Sequence, residues 1–351
     1  MTPTARAATA LLDAPRVLRT LAGLATTPLV PSDYLDLVAP LRAGARLRAR
    51  VVAVHPETRD AVTLVLRPGR DWAGHVPGQY VRVGVDVDGV RHWRAYSLTS
   101  RPGAREISIT VKAIPDGVVS NHLVRRARPG DLVHLDQATG DFVLTDPPPA
   151  KALFVTAGSG ITPVMGMLRS RDLPDAVVVH SSPTPEDAVF GGALRRLHAT
   201  GRIRLVERFT DADGMLAPSD LDDLVPDLAE RQVWACGPTG MLDALEAHLP
   251  DVRTERFRPT VVEPGDGGAV SFTISDKVVA TDGATTLLAA GESAGVLMPS
   301  GCRMGICFGC VVPLKDGAVR DLRNGTVTTA ADGVLVQTCV SAAAGPCDLE
   351  V

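Results

Sequence analysis

The sequence predicts a multidomain protein in which an antiparallel β-barrel precedes a doubly wound α/β domain and a smaller α+β domain. Three observations predict this order. Short β-type runs fill residues 45–148, strand and helix patterns alternate over 149–257, and a hairpin, a helix and a cysteine-rich loop follow in 269–351. Residues 1–44 form an extension with a helical pattern, and the Pro/Gly-rich segment 258–268 is a linker. With 351 residues, the chain is long enough to bury a separate core in each unit.

The barrel prediction rests on short runs rich in Val, Ile and aromatic residues, separated by Gly, Pro and Asp. They are LRARVVAVHPE, AVTLVLRP, QYVRVGVDV, RHWRAYSLTS, EISITVKAI and DLVHLDQAT. Short strands with regular turn residues between them are typical of an antiparallel barrel. The Pro-rich segment DPPPA at 146–150 marks the end of this unit.

The next unit combines apolar runs of strand length with helical patterns. The strand-like runs are KALFVTAG, AVVVHSS, IRLVERFT and RQVWACGP, and helical stretches such as PVMGMLRS and MLDALEAHL separate them. This alternation is typical of a parallel sheet covered by helices. In the last unit, VSFTISDKVVATDG predicts a hairpin and TTLLAAGESAG predicts a helix.

The N-terminal extension has apolar positions compatible with a helix that packs on the body of the protein: Leu11, Leu12, Val17, Leu18, Leu21 and Leu24. Attachment to a membrane surface is the alternative, but the stretch lacks the aromatic and Lys-rich faces that such anchors favour. Charged residues interrupt the segment at Arg6, Asp13, Arg16 and Arg19. We therefore expect neither a signal peptide nor a membrane span, and we expect a cytoplasmic protein.

The charge balance excludes one class of partner. The chain has 36 Lys and Arg against 40 Asp and Glu, so it has no basic field that would hold nucleic acid.

Three cysteines lie within the eleven residues SGCRMGICFGC at 300–310, where disulfides, zinc and an iron–sulfur cluster are the competing explanations. Disulfides are rare in the reducing cytosol, and zinc sites usually show two close pairs of ligands. The spacing C-x4-C-x2-C with a distant fourth cysteine is that of plant-type 2Fe–2S ferredoxins, and the glycines let backbone N–H groups approach the sulfides. The predicted ligands are Cys302, Cys307, Cys310 and Cys339. Cys347, in a terminal β-type run, is not among them.

Two segments of the barrel unit carry groups suited to a pyrophosphate. Arg94 lies in RAYS at the end of a strand-like run, and twenty residues later a probable helix begins with Gly117, Val118, Val119, Ser120 and Asn121. A pyrophosphate is bound well by a fixed guanidinium and by free N–H groups at a helix N-terminus. Tyr96 offers a face for an aromatic ring and Ser97 a hydroxyl for a heteroatom. The alternative is that Arg94 and Tyr96 have only a structural role on a barrel strand.

Two Gly-rich turns follow predicted strands of the α/β unit. The first contains Thr156, Gly158, Ser159, Gly160, Thr162 and Pro163, and the second contains Cys236, Gly237 and Pro238. Either turn alone is explained by packing. Because both follow strands of one parallel sheet, we expect them side by side at its carboxyl edge, where nucleotides bind in this architecture.

With these motifs in this order, residues 45–351 resemble the ferredoxin–NADP reductase superfamily, in the form with a C-terminal plant-type ferredoxin of β-grasp fold. The resemblance implies FAD held by Arg94, Tyr96, Ser97 and the Gly117 turn, and a nicotinamide nucleotide held at TAGSGITP and CGP. It also implies that Cys236 lies near the nicotinamide and that the aromatic ring of Glu255-Arg256-Phe257 covers the flavin. Phe257 departs from the family pattern because it is internal to the chain and precedes a linker. FMN in place of FAD is the alternative.

The resemblance implies an electron-transfer reductase. A nicotinamide gives up two electrons as a hydride, iron acceptors take one at a time, and a flavin does both. We therefore expect electrons to pass from NAD(P)H to FAD, then to the 2Fe–2S cluster and to a separate protein. The alternatives are a reductase of small molecules such as quinones, and a redox sensor, which the absence of a visible regulatory domain disfavours.

Two finer expectations concern the nucleotide and the acceptor. After AVVV the sequence has His180, Ser181 and Ser182 with no acid to bind a ribose 2′-hydroxyl, which favours NADPH over NADH, with both serines near the 2′-phosphate. The segment PLVPSDYLDLVAPL and the domain order resemble actinobacterial reductases that serve membrane-bound acyl desaturases. We expect a monomer that serves such a desaturase, with a Rieske or alkane oxygenase or a cytochrome P450 as the alternative partner.

Overall fold

The computed structural model describes residues 31–115, 117–257, 265–301, 303, 305 and 308–351. Several predictions fall on the remaining residues and lie outside the described part of the chain: the N-terminal helix around residues 11–24, the ligands Cys302 and Cys307, and most of the linker 258–268.

The first unit is an antiparallel sheet of six strands in the order β4-β3-β6-β1-β2-β5. A helix, α1 (Pro31–Val38), precedes it, and helix α2 (Val118–Arg125) lies between its last two strands. The strands are β1 (Arg48–Thr58), β2 (Ala61–Pro68), β3 (Tyr80–Val87), β4 (Val90–Ser97), β5 (Ile107–Lys112) and β6 (Leu132–Leu135). A bridge between Leu98 and Ile109 connects the two edge strands, and Thr99 N donates to Ser108 O at 2.8 Å, so the sheet closes into the predicted barrel.

The second unit is a parallel sheet in the order β11-β10-β7-β8-β9. Its strands are β7 (Lys151–Ala157), β8 (Asp175–Ser182), β9 (Arg204–Phe209), β10 (Gln232–Cys236) and β11 (Arg253–Glu255). Its helices are α3 (Ile161–Ser170), α4 (Gly191–Ala199), α5 (Thr210–Asp213), α6 (Asp220–Leu224) and α7 (Thr239–His248). The four predicted strands are confirmed, whereas β11 was not predicted because its three residues, RTE, are too few and too polar to show a pattern.

The third unit is a mixed sheet in the order β13-β12-β17-β14-β15, with β16 paired to β14, and it has the expected α+β character. Its elements are β12 (Gly265–Phe272), β13 (Lys277–Gly283), α8 (Leu287–Ser293), β14 (Val311–Asp321), β15 (Val327–Thr329), β16 (Leu335–Gln337) and β17 (Ser341–Leu349). The hairpin β12-β13 and helix α8 are where the sequence predicts them. Strand β12 begins at Gly265, inside the predicted linker, because Gly265 and Gly268 pair across a bulge with Gly283 and Thr281.

The barrel and the parallel sheet are packed directly on each other. Arg169 Nη1 of α3 donates to Thr99 O of the barrel at 2.8 Å, and Trp234 Nε1 of β10 donates to Val143 O at 3.1 Å. A Cβ atom at Gly166 would lie 2.3 Å from Leu98 O, so α3 approaches the barrel at a distance that only glycine permits. This contact places the carboxyl edge of the parallel sheet beside strand β4.

Among the described residues, no helix has the length and apolar character needed to cross a bilayer.

Candidate functional site

A pocket of about 880 Å³ lies where the three units meet. Its wall combines strand β4, the N-terminus of α2, the turn before α3 and the residues from β11 onward. Of the predicted site residues, those that line it are Arg94, Tyr96, Ser97, Gly117, Val119, Ser120, Ser159, Thr162 and Phe257. The structure therefore brings together two motifs of the barrel and the first nucleotide turn, which lie up to 68 residues apart in the chain.

Arg94 and Tyr96 are two residues apart on β4, so their side chains lie on the same face of the strand. Arg94 Nη1 donates to Trp93 O at 2.7 Å, and no carboxylate of the described residues forms a salt bridge with Arg94. Burial lowers the pKa of this guanidinium, and the charge of Arg303 lowers it further. Burial also raises the pKa of Tyr96, so its phenol stays neutral. The remaining donors of Arg94 are available to an anion.

The Ser97 hydroxyl fits a polar ligand atom. The residue is 4% exposed, and its Oγ is buried without a hydrogen-bond partner among the described residues. A buried hydroxyl left unpaired is costly, and such groups normally have a partner. A flavin ring, which carries nitrogen and oxygen atoms along one edge, would supply that partner. The donor set of this pocket therefore fits a flavin nucleotide.

The turn before α2 leaves little room for a side chain at position 117. A Cβ atom there would lie 2.4 Å from Ser120 Oγ and 2.5 Å from Ile114 Cγ1. Asn121 Nδ2 donates to Ile114 O and Gly117 O, both at 2.9 Å, so the Asn121 side chain stabilises the turn. Val118 is exposed at the first position of the helix. The first N–H groups of α2 are thereby held at the edge of the pocket.

The two Gly-rich turns lie against each other, as predicted. Cys236 of β10 is in register with Thr156 of β7, and a Cβ atom at Gly160 would lie 2.0 Å from Cys236 O. A Cβ atom at Gly237 would lie 2.6 Å from Met241 Cε. Gly158 has φ +53, a left-handed conformation that favours glycine. Both turns end at the gap between β7 and β10, where the order of the sheet reverses and nucleotides bind.

Some predicted residues of the nucleotide site support the turns from within the fold. Thr156 is buried, and its Oγ1 lies 2.9 Å from His180 Nδ1, where burial lowers the pKa of the imidazole to about 4. Ser182 Oγ donates to Thr184 O at 2.9 Å, while Ser181 Oγ is buried with no partner among the described residues. Pro163 is buried in the first turn of α3. Pro238 directly precedes α7.

The sequence pointed to Glu255 only as the residue that begins the segment ending in Phe257, and it gave the carboxyl group no role in the site. Strand β11 places Glu255 in register with Cys236, it lines the pocket, and its Oε2 is buried without a partner among the described residues. Burial raises the pKa of Glu255 to about 8, and burial together with the charge of Glu255 raises the pKa of Cys236. Cys236 is therefore a buried thiol. Phe257 also lines the pocket and packs half-buried against the core of the nucleotide domain.

Two predicted cluster ligands lie close together in the third unit. Cys310 and Cys339 are buried, and the β14-β16 pairing brings their segments side by side, with Thr338 N 3.2 Å and Thr338 Oγ1 2.9 Å from Cys310 O. Cys347 lies in β17, in register with Val270 and Gly317. Burial raises the pKa of Cys347 to about 11, so it remains a core thiol.

A polar network holds the loop that carries the cysteines. Gly305 O accepts from Arg323 Nη1 and from Gln337 Nε2, both at 3.0 Å, and Gly305 has φ +74. The hydrogen bond to Asp321 raises the pKa of Arg323, and the charges of Cys339 and Cys310 contribute. Small residues, buried sulfurs and a nearby fixed cation fit an anionic iron–sulfur cluster.

Comparisons with known proteins identify the family. Residues 48–144 match the model of the oxidoreductase FAD-binding domain, and residues 272–344 match that of the 2Fe-2S iron-sulfur cluster binding domain. An NADPH oxidoreductase of Mycobacterium tuberculosis is 48% identical, over 95% of this chain and 92% of that protein. The structure of phthalate dioxygenase reductase superposes with a TM-score of 0.61 at 22% identity, covering 87% of this chain and 97% of that chain.

Two further relatives have different names. A glycine betaine monooxygenase reductase subunit of Chromohalobacter salexigens is 30% identical, over 75% of this chain and 84% of that protein. The NADH oxidoreductase HCR of Escherichia coli is 33% identical, over 83% of this chain and 94% of that protein.

These matches and the site define an FAD-binding oxidoreductase with a 2Fe–2S domain. The chain belongs to the ferredoxin–NADP reductase superfamily, in the group whose flavin and nucleotide domains precede a C-terminal iron–sulfur domain. It is an NAD(P)H-dependent electron-transfer reductase.

Proposed function

We propose that the pocket between barrel and parallel sheet holds FAD, with the pyrophosphate on Arg94 and the N-terminus of α2, and that electrons leave through a cluster on Cys302, Cys307, Cys310 and Cys339. When bound, FAD takes two electrons from a nicotinamide and passes them singly to the cluster. The proposed domains are the barrel at 45–148, the nucleotide domain at 149–257 and the ferredoxin domain at 269–351, as the sequence predicts.

One observation carries the flavin assignment: Ser97 and Arg94 line the same pocket, and among the described residues the Ser97 hydroxyl has no hydrogen-bond partner and the Arg94 guanidinium has no carboxylate partner. In the proposed arrangement Tyr96 packs against the flavin ring and Ser97 orients its reacting end. Cys236 and Glu255 border the place of the nicotinamide, and Phe257 covers the ring and excludes water until the nucleotide enters.

The Arg94→Ala variant should bind FAD more weakly by roughly 1.5–3 kcal/mol, because a charge-assisted contact to the pyrophosphate is lost. Ser97→Ala should keep most of its FAD but slow hydride transfer, because the hydroxyl acts at the reacting end. Flavin fluorescence titration and stopped-flow reduction measure the two effects. Arg91→Ala is the matched control, since Arg91 lies on the same strand in a surface ion pair with Asp86 at 2.7 Å. Full FAD affinity in Arg94→Ala and a full rate in Ser97→Ala would refute the site.

We further propose NADPH as the electron donor, with Ser181 and Ser182 near its 2′-phosphate. The end of β8 carries no acid to bind a 2′-hydroxyl, and Glu207 on the neighbouring strand is engaged by Arg195 at 2.8 Å. The relative from Mycobacterium tuberculosis is named for NADPH, although the Escherichia coli relative is named for NADH.

The measured kcat/KM for NADPH should exceed that for NADH by at least about tenfold, or about 1.4 kcal/mol. Steady-state reduction of ferricyanide with each nucleotide, at one ionic strength, tests this. Equal or better use of NADH would contradict the proposal and would assign the chain to the NADH-dependent members of the superfamily.

The proposed acceptor is a membrane-bound fatty-acyl desaturase, served by a cytoplasmic monomer that docks on it, with an oxygenase or a cytochrome P450 as the alternative. Residues 265–351 contain nine acidic and five basic residues, a net charge of −4 that equals the net charge of the chain. Three of the basic residues are engaged within the domain, in the pairs Arg303–Glu292, Lys315–Glu350 and Arg323–Asp321. The acidic excess supports docking on a basic surface.

Reconstitution tests the acceptor: NADPH, this protein and a di-iron desaturase should together desaturate an acyl-CoA. The rate should fall as salt rises from about 50 to 300 mM, because screening weakens steering between exposed charges. A desaturase that stays inactive while a Rieske oxygenase or a P450 turns over would assign the chain to those systems. A desaturation rate that does not depend on salt would contradict electrostatic docking.

A further inference from the structure

Arg303 belongs to the cysteine loop of the third unit, yet its side chain lines the pocket that contains Arg94 and Tyr96. It is 26% exposed and has φ +60, an uncommon backbone conformation for a residue other than glycine. Its Nη1 donates to Glu292 Oε2 at 2.7 Å, and its Nη2 donates to Glu292 Oε1. The guanidinium has five N–H groups, so three donors remain for another partner.

The positive charges of Arg303 and Arg94 act on each other. After burial, the charge of Arg303 is the largest cause that lowers the pKa of Arg94, and it also lowers the pKa of His92 on the same strand. Two guanidinium groups at the edge of one partly buried pocket repel each other unless an anion lies between them. Within the described part of the chain, Glu292 is the only carboxylate that forms a salt bridge with either of them. This part of the pocket therefore has a net positive charge.

We propose that Arg303 completes the flavin phosphate site from the iron–sulfur domain, as the second guanidinium opposite Arg94. This inference rests on the proposed flavin site. Because one ligand then contacts two domains, flavin binding and docking of the cysteine loop on the barrel stabilise each other by the same free energy. Binding of the flavin nucleotide therefore favours the docked position of the cysteine loop on the barrel.

The test measures flavin affinity in the flavin-free, cluster-loaded full chain by fluorescence quenching. Arg303→Gln should bind FAD at least about tenfold more weakly, because a charge-assisted contact is lost. Riboflavin, which has no phosphate, should bind Arg303→Gln and wild type within about twofold of each other. Glu292→Gln, which also breaks the ion pair but leaves the cation, should bind FAD as tightly as wild type or more tightly. Arg303→Lys should recover part of the FAD affinity because it keeps the charge.

Lys277→Gln is the charge-matched control, because Lys277 is exposed on β13 and does not line the pocket. Equal losses for FAD and riboflavin, or equal losses in Arg303→Gln and Glu292→Gln, would overturn the inference and leave Arg303 a structural ion pair. The visible spectrum of the cluster shows that each variant is folded. Weak FAD binding in Arg94→Ala with unchanged binding in Arg303→Gln refutes this inference alone, whereas unchanged binding in both refutes the flavin site.

Discussion

The Cys310→Ser variant is expected to lose the visible spectrum of the 2Fe–2S cluster and electron transfer to a one-electron protein acceptor such as cytochrome c. Loss of a ligand thiolate should reduce cluster occupancy by more than the roughly 10–100-fold effect of removing an outer-shell partner. Cys310 and Cys339 are both buried, and Thr338 Oγ1 donates to Cys310 O at 2.9 Å, so the two thiols are held in one part of the core. NADPH-driven reduction of ferricyanide should persist, because the flavin pocket is formed mainly by the other two domains.

Cys347→Ser is the matched control, since Cys347 is equally buried but lies in the pairing of β17 with β12 and β14. Iron and sulfide should remain near two per chain in this variant, as in the wild type. The same result is expected for Cys307→Ser as for Cys310→Ser. Cytochrome c reduction that survives loss of the cluster would show that electrons leave from the flavin, and a Cys347→Ser protein without iron would place that thiol in the ligand set.

The second large effect concerns Glu255, which should make nucleotide use depend on pH. Burial raises its pKa to about 8, so the side chain is neutral at pH 7 and becomes an anion as the pH rises. An ionised carboxylate beside Cys236 would repel an anionic nucleotide in a pocket of low dielectric. The KM for NADPH should therefore rise between about pH 7 and pH 9 in the wild type, and this rise should be absent in Glu255→Gln. Identical pH profiles would exclude Glu255 from the nucleotide site.

The same group affects folding stability. Between its unfolded pKa of 4.5 and its folded pKa of about 8, Glu255 keeps its proton in the folded protein and has lost it in the unfolded chain. The contribution of Glu255 to the free energy of unfolding therefore falls as the pH rises, by about 1.4 kcal/mol per pH unit. His180, with a pKa of about 4, has the opposite effect but only below pH 6.5. Denaturant unfolding of the wild type and of Glu255→Gln, compared at each pH between 6.5 and 8, isolates the contribution of Glu255. The free energy of unfolding should decline less with pH in Glu255→Gln than in the wild type. An equal decline in both proteins would contradict the burial of the Glu255 Oε2 atom.

Much of the fold could be predicted because the evidence for it is local. Short runs rich in Val, Ile and aromatic residues between turn residues predicted the barrel strands, and apolar runs followed by glycine predicted β7 and β10 with their two turns. The adjacency of those turns also followed, because parallel strands place their carboxyl ends at one edge of a sheet. Strand β11 was missed, since its position depends on pairing with β10 and its own residues are polar.

The sequence by itself determined the order of the domains, because each domain has its own local pattern. It also determined the ligand spacing C-x4-C-x2-C and the residues of RAYS, because each of these lies within one short segment. Only the tertiary structure decided that Glu255 faces Cys236, that Arg323 holds the carbonyl of Gly305 and that Arg303 reaches the pocket of Arg94. These contacts join segments between 18 and about 210 residues apart. Their geometry depends on strand register and on the packing of one domain against another, which periodicity along the chain does not encode.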